Sequence, residues 1–147
     1  MLQYRIMTKK IRTQRSEKPK ADGIVFPFER SDKIRTSLLI TLPYRGADQL
    51  VQYRTSEFTA VCPFSGLPDI ATVIIEYIPA KLLVELKSLK YYFVSFRNVG
   101  IYQEDVTNRI FTDLSTLLRP KYLKVTTTYN TRGGIDSTCS IEKGKRS

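Results

Sequence analysis

Residues 86–97 read LKSLKYYFVSFR and residues 104–118 read EDVTNRIFTDLSTLL. Both carry apolar side chains at helical spacing. In the first, Leu86, Leu89, Phe93 and Phe96 share a face, while Lys87 and Lys90 lie on a neighbouring one. In the second, Val106, Ile110, Leu114, Leu117 and Leu118 line one face. Glu104 and Asp105 occupy its first turn, where the helix dipole favours acids. Asn98 and Gly100 break the first helix, and Arg119-Pro120 closes the second. Strand signals flank the pair. Residues 70–78 (IATVIIEYI) are rich in β-branched side chains and end at Pro79, and residues 122–130 (YLKVTTTYN) alternate. Further out, residues 36–42 (TSLLITL), closed by Pro43, and residues 50–61 (LVQYRTSEFTAV) also read as strands. Residues 62–69 (CPFSGLPD) hold two prolines and a glycine and read as an ordered loop, and residues 131–134 (TRGG) as a turn. Strands, then two helices, then a strand predict an α+β domain whose antiparallel sheet carries two helices on one face. The open edges of such a sheet need covering, which points to an oligomer.

The chain has 147 residues, enough for one domain with a real core. Residues 23–141 form that domain, between a basic tail at 1–22, read as disordered, and a basic tail at 142–147. The formal charge is +10, of which residues 1–22 hold +5 and residues 142–147 hold +2. Charge concentrated in tails is weak support for a nucleic-acid surface on the domain itself. No apolar run approaches the ~20 residues that span a bilayer, so no membrane partner is expected.

There is no histidine and there are two cysteines, Cys62 and Cys139. His-containing triads and imidazole zinc sites are thereby excluded, and no metal is expected. Two thiols make a poor disulfide framework, so a reducing, cytoplasmic compartment is the default. Chemistry falls to Cys, Asp, Glu, Lys, Tyr, Ser or Thr, with an organic cofactor.

Cys62 ends a strand and opens the proline-rich loop, where a thiol is well placed for nucleophilic attack; a buried structural cysteine is the plainer reading. Asp69, at the far end of that loop, reaches the thiol as acid or base if the loop folds back, and is otherwise a turn residue. Lys87 and Lys90 could hold phosphates as paired point charges, and Arg132, before Gly133-Gly134, could do so with its fork; solvated surface is the alternative for each. Glu85 and Glu104 are carboxylates able to take two parallel N–H bonds, as from a guanine-like ring edge, or are ordinary exposed acids.

Together these segments resemble a known family. CPFSGLPD (Cys62 to Asp69), ELKSLKYY (Glu85 to Tyr92), SFRN (Ser95 to Asn98), QED (Gln103 to Asp105) and RGG (Arg132 to Gly134) stand in the order of the short-form NADPH-dependent 7-cyano-7-deazaguanine reductases, nitrile reductases of queuosine biosynthesis. The resemblance covers roughly residues 50–136 and implies a tunnelling fold. Subunits of that fold assemble into an oligomeric barrel with sites between subunits, a decamer of two pentamers being one arrangement. It further implies Cys62 as nucleophile and Asp69 as proton donor. Val84, Glu85, Leu86, Gln103 and Glu104 would contact 7-cyano-7-deazaguanine. Lys87, Ser88, Lys90 and Arg132 would contact NADPH. No nucleic acid is then obligatory. One departure is Gln103, where the family commonly has histidine; an amide can exchange hydrogen bonds but carries no charge. A related archaeal amidine transferase keeps the Cys and Asp but lacks the cofactor motif that ELKSLKYY fits, and a non-catalytic RNA-binding protein explains the charge but not the Cys62–Asp69 loop.

Overall fold

The computed structural model describes residues 20–146. Six strands and two α-helices follow in the order β1 (Thr41–Pro43), β2 (Val51–Val61), β3 (Pro68–Ile78), β4 (Leu82–Val84), α1 (Leu86–Val94), α2 (Gln103–Leu118), β5 (Tyr122–Arg132) and β6 (Ile135–Gly144). The main sheet is antiparallel with strand order β2-β3-β5-β6, and β1 pairs with β4 in a separate two-stranded ladder. The α+β architecture read from the sequence therefore holds, with α1 packed on β2 and α2 on β5 and β6.

The core lies between sheet and helices. Alternation in β3 sends Ala71, Val73, Ile75 and Tyr77 to one face, all fully buried, and the same parity in β5 sends Leu123, Val125, Thr127 and Tyr129 there. The α2 stripe answers with Val106, Ile110, Leu114 and Leu118. From α1, Leu89 and Tyr92 enter the core, whereas Leu86 stays 59% exposed. Tyr92, Phe96 and Phe58 pack as an aromatic cluster, with Phe96 at 5.3 Å from Tyr92 and 5.2 Å from Phe58. Such pairs each contribute ~0.5–1.5 kcal/mol beyond the area they bury. The Tyr92 hydroxyl donates to Asp113 on α2 at 2.8 Å, which is how a polar group is tolerated there.

Several segments differ from the sequence reading: Leu82–Val84 form a strand it leaves unassigned, and Pro68–Asp69 and Thr131–Arg132, read as loop and turn, extend β3 and β5. Residues 36–42 do not form one strand: Thr36–Leu38 is a 3₁₀ turn and only Thr41–Pro43 is strand. Helix side chains take the polar groups of this segment. The Thr36 hydroxyl donates to Asp113 and accepts from Arg109, and the Ile40 N–H donates to Ser88 Oγ at 3.0 Å. The first helix ends at Val94 rather than Arg97, because Ser95 closes the turn with its hydroxyl on the Tyr92 carbonyl at 2.6 Å. Finally, β6 occupies Ile135–Gly144, which the sequence reading leaves unassigned up to residue 141 and treats as tail beyond it. The segment read as a disordered tail, residues 1–22, lies outside the described residues apart from Lys20–Asp22, which form part of a turn.

Candidate active site

The β2–β3 loop, the β5–β6 turn and the start of α2 lie at one end of the sheet, because β2 and β5 run the same way and α2 returns antiparallel to β5. The register Ala60↔Asp69 and Val61↔Pro68 brings Cys62 and Asp69 together as diagonal neighbours on the helix-facing side. The loop between them is closed by backbone bonds from Cys62 N to the Leu67 carbonyl and from Gly66 N to the Cys62 carbonyl, each 2.9 Å. Gly66 sits at φ +71°, and a Cβ there would strike the Phe26 carbonyl, so glycine is required on both counts. The segment Phe26–Glu29 straps the loop from outside, with Phe26 N donating to Ser65 at 2.9 Å and Phe28 against Gly100. Val61 in turn bridges Gly100, and Phe64 meets Tyr102 edge-on at 5.8 Å, which fixes the start of α2 beside the loop.

Asp69 is 4% exposed and pairs with Arg132, whose Nη1 donates to Oδ1. Burial of the carboxylate without that partner would be costly. The Cys62 thiol is held below its ordinary pKa. The Ser65 hydroxyl contributes most, burial opposes it, and the N–H groups of Phe64 and Ser65 and the Arg132 side chain add to the lowering. Thiolate is therefore present at lower pH than for a free cysteine. Activity that needs this thiolate rises with pH through the Cys62 pKa. Ser65→Ala removes the largest lowering influence, so the acid limb of the pH–rate profile should move to higher pH. A limb unmoved in Ser65→Ala, measured on kcat/KM between about pH 5 and 9, would show that Ser65 does not tune the thiol.

Gln103 opens α2 half-buried and Glu104 follows, exposed at the same end as Cys62. Cys62, Asp69, Gln103, Glu104 and Arg132 thus form one constellation. Arg132 lies with Asp69 and Cys62 here, a placement the sequence reading, which grouped it with Lys87 and Lys90, did not contain. No signal in RGG distinguishes an arginine on phosphate from one on a buried aspartate, because the pairing spans 63 residues and depends on strand register.

The second group lies elsewhere. Lys87, Lys90, Leu86 and Glu85 line a groove of about 550 Å³ between α1 and the β2–β3 face, with Phe58, Ile75 and Phe93 as apolar wall and Arg54 and Arg97 at its rim. Lys90 also approaches Glu57 at 3.9 Å with both side chains about three-quarters exposed, a contact worth little. Two members of the motif serve the fold directly. The Glu85 carboxylate caps α1, accepting from Lys87 N at 2.8 Å and Ser88 N at 2.7 Å, and these two bonds, Lys87 first, lower its pKa. Ser88 is buried, donating to the Glu85 carbonyl at 2.7 Å while accepting from Ile40 N. Val84 is buried in the β1–β4 ladder. None of the Cys62 constellation lines this groove, so a single chain does not unite the two groups.

The chain is a two-layer α+β subunit with two helices on one face of an antiparallel sheet, a cysteine of lowered pKa beside a buried aspartate, and a separate groove that carries lysines. A profile of the QueF-like protein family matches residues 68–147. An NADPH-dependent 7-cyano-7-deazaguanine reductase of Thermotoga petrophila is 55% identical over 132 residues, 88% of this chain and 96% of that protein. One of Caldicellulosiruptor bescii is 51% identical over 108 residues, 72% of this chain and 82% of that protein. The crystal structure of an archaeosine synthase QueF-Like in the apo form superposes with a TM-score of 0.63 at 26% identity, covering 68% of this chain and 98% of that one. The chain belongs to the QueF-like family.

Proposed function

We propose that this chain is an NADPH-dependent oxidoreductase that reduces the nitrile of 7-cyano-7-deazaguanine to the aminomethyl group, through a covalent thioimide on Cys62. The observation that carries the reading is the juxtaposition of a lowered-pKa Cys62 with the buried Asp69–Arg132 pair, in a chain whose relatives are named for that reaction.

Asp69 carboxylate takes the thiol proton, and Cys62 Sγ adds to the nitrile carbon. One C–S bond forms, one π bond of the C≡N breaks, and Asp69 returns its proton to the nitrogen. Bound NADPH supplies hydride, and the overall change consumes two hydrides and two protons. Release of Cys62 between the two reductions restores the thiolate. Arg132 keeps Asp69 aimed across the loop, and Glu104, an acceptor with two oxygens, is suited to the N–H edge of the heterocycle. Gln103 can exchange hydrogen bonds with the ring but takes no part in proton transfer.

The groove suits a dinucleotide: Lys87 and Lys90 present two point charges toward phosphate and Phe58, Leu86 and Phe93 a wall for a flat ring. Ser88, buried beneath the α1 cap, contributes by holding that helix start. The two groups of residues unite if neighbouring subunits contribute one each, and the exposed edges β2 and β6 offer surfaces for such assembly. Mixing Cys62→Ala with Lys87→Ala/Lys90→Ala subunits under exchanging conditions should then restore activity absent from either alone. An active monomer in light scattering would overturn the shared site.

NADPH absorbance decay with 7-cyano-7-deazaguanine tests the reaction, with two NADPH consumed per nitrile. An amidine transferase, the alternative weighed from the sequence, would consume none. Lys87→Ala and Lys90→Ala should each raise the NADPH Kd by roughly ten- to a hundred-fold, the loss expected for one charge-assisted contact. Unchanged NADPH affinity in both would mean that the groove face is merely solvated.

A further inference from the structure

Tyr129 is 4% exposed, and its hydroxyl is the buried side-chain polar atom left without a hydrogen-bond partner among the described residues. Buried hydroxyls are nearly always paired, so an orphan marks a place where something else supplies the acceptor. Its surroundings say where that place is. In the β3–β5 register Tyr129 stands opposite Ala71, so Asp69, two residues further along β3, is its diagonal neighbour on the same face. On the other side, Thr107 of α2 meets Thr127 of β5 at 2.6 Å, which ties the helix to the strand. Since α2 runs antiparallel to β5, three residues back along the helix lies Glu104 and two residues on along the strand lies Tyr129, at closely similar heights of about 4.5 and 6.6 Å above that contact. Thr127, the nearest hydroxyl along the strand, gives its proton to Thr107, which donates to the Gln103 carbonyl, and it makes no hydrogen bond with the Tyr129 hydroxyl. The phenol thus stands between the Asp69 end and the Glu104 end of the constellation. Burial first, and then the negative charge of Asp69, raise its pKa far above neutrality, so it remains a donor throughout the working pH range.

We propose that the Tyr129 hydroxyl is a ligand-contacting donor of this site, and that it takes the ring carbonyl oxygen of the bound heterocycle. The inference rests on the function proposed above and deepens it. The substrate's own layout supplies the match. In 7-cyano-7-deazaguanine the carbonyl lies between the ring N–H edge and the nitrile-bearing carbon. The protein offers, in the same order, Glu104 for the N–H edge, Tyr129, and the Asp69–Cys62 pair for the nitrile.

The test uses the full-length protein with Cys62→Ala in both arms, so that binding is not obscured by adduct formation. Calorimetric titration with 7-cyano-7-deazaguanine should give a Kd about ten-fold higher when Tyr129→Phe is added, the loss expected for one neutral hydrogen bond to a buried acceptor. The analogue in which the ring carbonyl is replaced by C–H also loses the adjacent ring N–H that faces Glu104, so both proteins should bind it more weakly, but equally to one another, because the acceptor for Tyr129 is gone. The ligand-free Tyr129→Phe protein should melt no lower than its parent, since only an unpaired hydroxyl is removed. Equal affinity of both proteins for 7-cyano-7-deazaguanine, or the same ten-fold loss with the analogue, overturns the assignment while leaving the function standing. Absence of binding by the parent overturns the functional reading and this inference with it.

Discussion

Cys62→Ala should abolish turnover completely, whereas Cys139→Ala should leave it near the wild-type rate. Both thiols are free and half-buried, so exposure does not distinguish them. Their surroundings do. Cys62 sits where Ser65, two backbone N–H groups and Arg132 favour the thiolate, with Asp69 diagonally across the loop. Cys139 lies opposite Thr127 on the edge strand β6, with no carboxylate or cation among its ladder partners. Covalent catalysis splits a difficult addition into two easier ones, and without the nucleophile there is no alternative route to the same intermediate. Incubating the protein with 7-cyano-7-deazaguanine in the absence of NADPH should add the mass of the whole nitrile to the peptide containing Cys62, because thioimide formation expels no leaving group. Adduct on Cys139, or residual turnover in Cys62→Ala, would remove Cys62 from the role proposed for it.

The second large effect is expected at Asp69. Asp69→Asn preserves volume and the ability to accept from Arg132, but it cannot shuttle a proton. The kcat should fall by roughly 10²- to 10⁴-fold, the range for loss of a positioned acid–base group. Substrate Kd, measured in the Cys62→Ala background, should change little, because Asp69 is assigned to the proton and not to the ring. Arg132→Ala is the useful companion. It leaves a carboxylate that is 4% exposed without its cation, so the melting temperature should drop together with kcat, whereas in Asp69→Asn kcat falls far more than stability. Full activity in Asp69→Asn would transfer proton delivery to another group. If Arg132→Ala weakens NADPH binding and leaves kcat intact, Arg132 serves the cofactor and its pairing with Asp69 is structural.

The amino-acid sequence by itself determined the local elements whose patterns are strong. The α2 stripe of Val106, Ile110, Leu114 and Leu118, the β-branched run of β3 and the turn at Gly133-Gly134 follow from spacing and residue type, and the structure places them accordingly. The ordered loop that opens at Cys62 was legible from its prolines and glycine, whereas the return of Asp69 beside the thiol follows from the register of β2 against β3. The tertiary structure alone decided the rest. The first predicted strand failed because Asp113, Arg109 and Ser88, distant in sequence, draw Thr36 and Ile40 into side-chain hydrogen bonds. Strand β6 escaped notice because an edge strand with polar residues on both faces lacks the apolar alternation that burial imposes. Glu85 and Ser88, read from the motif as ligand contacts, are engaged in capping α1, a use that depends on where the helix begins. Arg132 joined Asp69, and Tyr129 came to rest unpaired between Asp69 and Glu104, through the register of β3 against β5 and the seating of α2 on that strand. Periodicity records which face of an element is apolar. It does not record which neighbour lies across the ladder, and in this protein that neighbour sets the chemistry of the site.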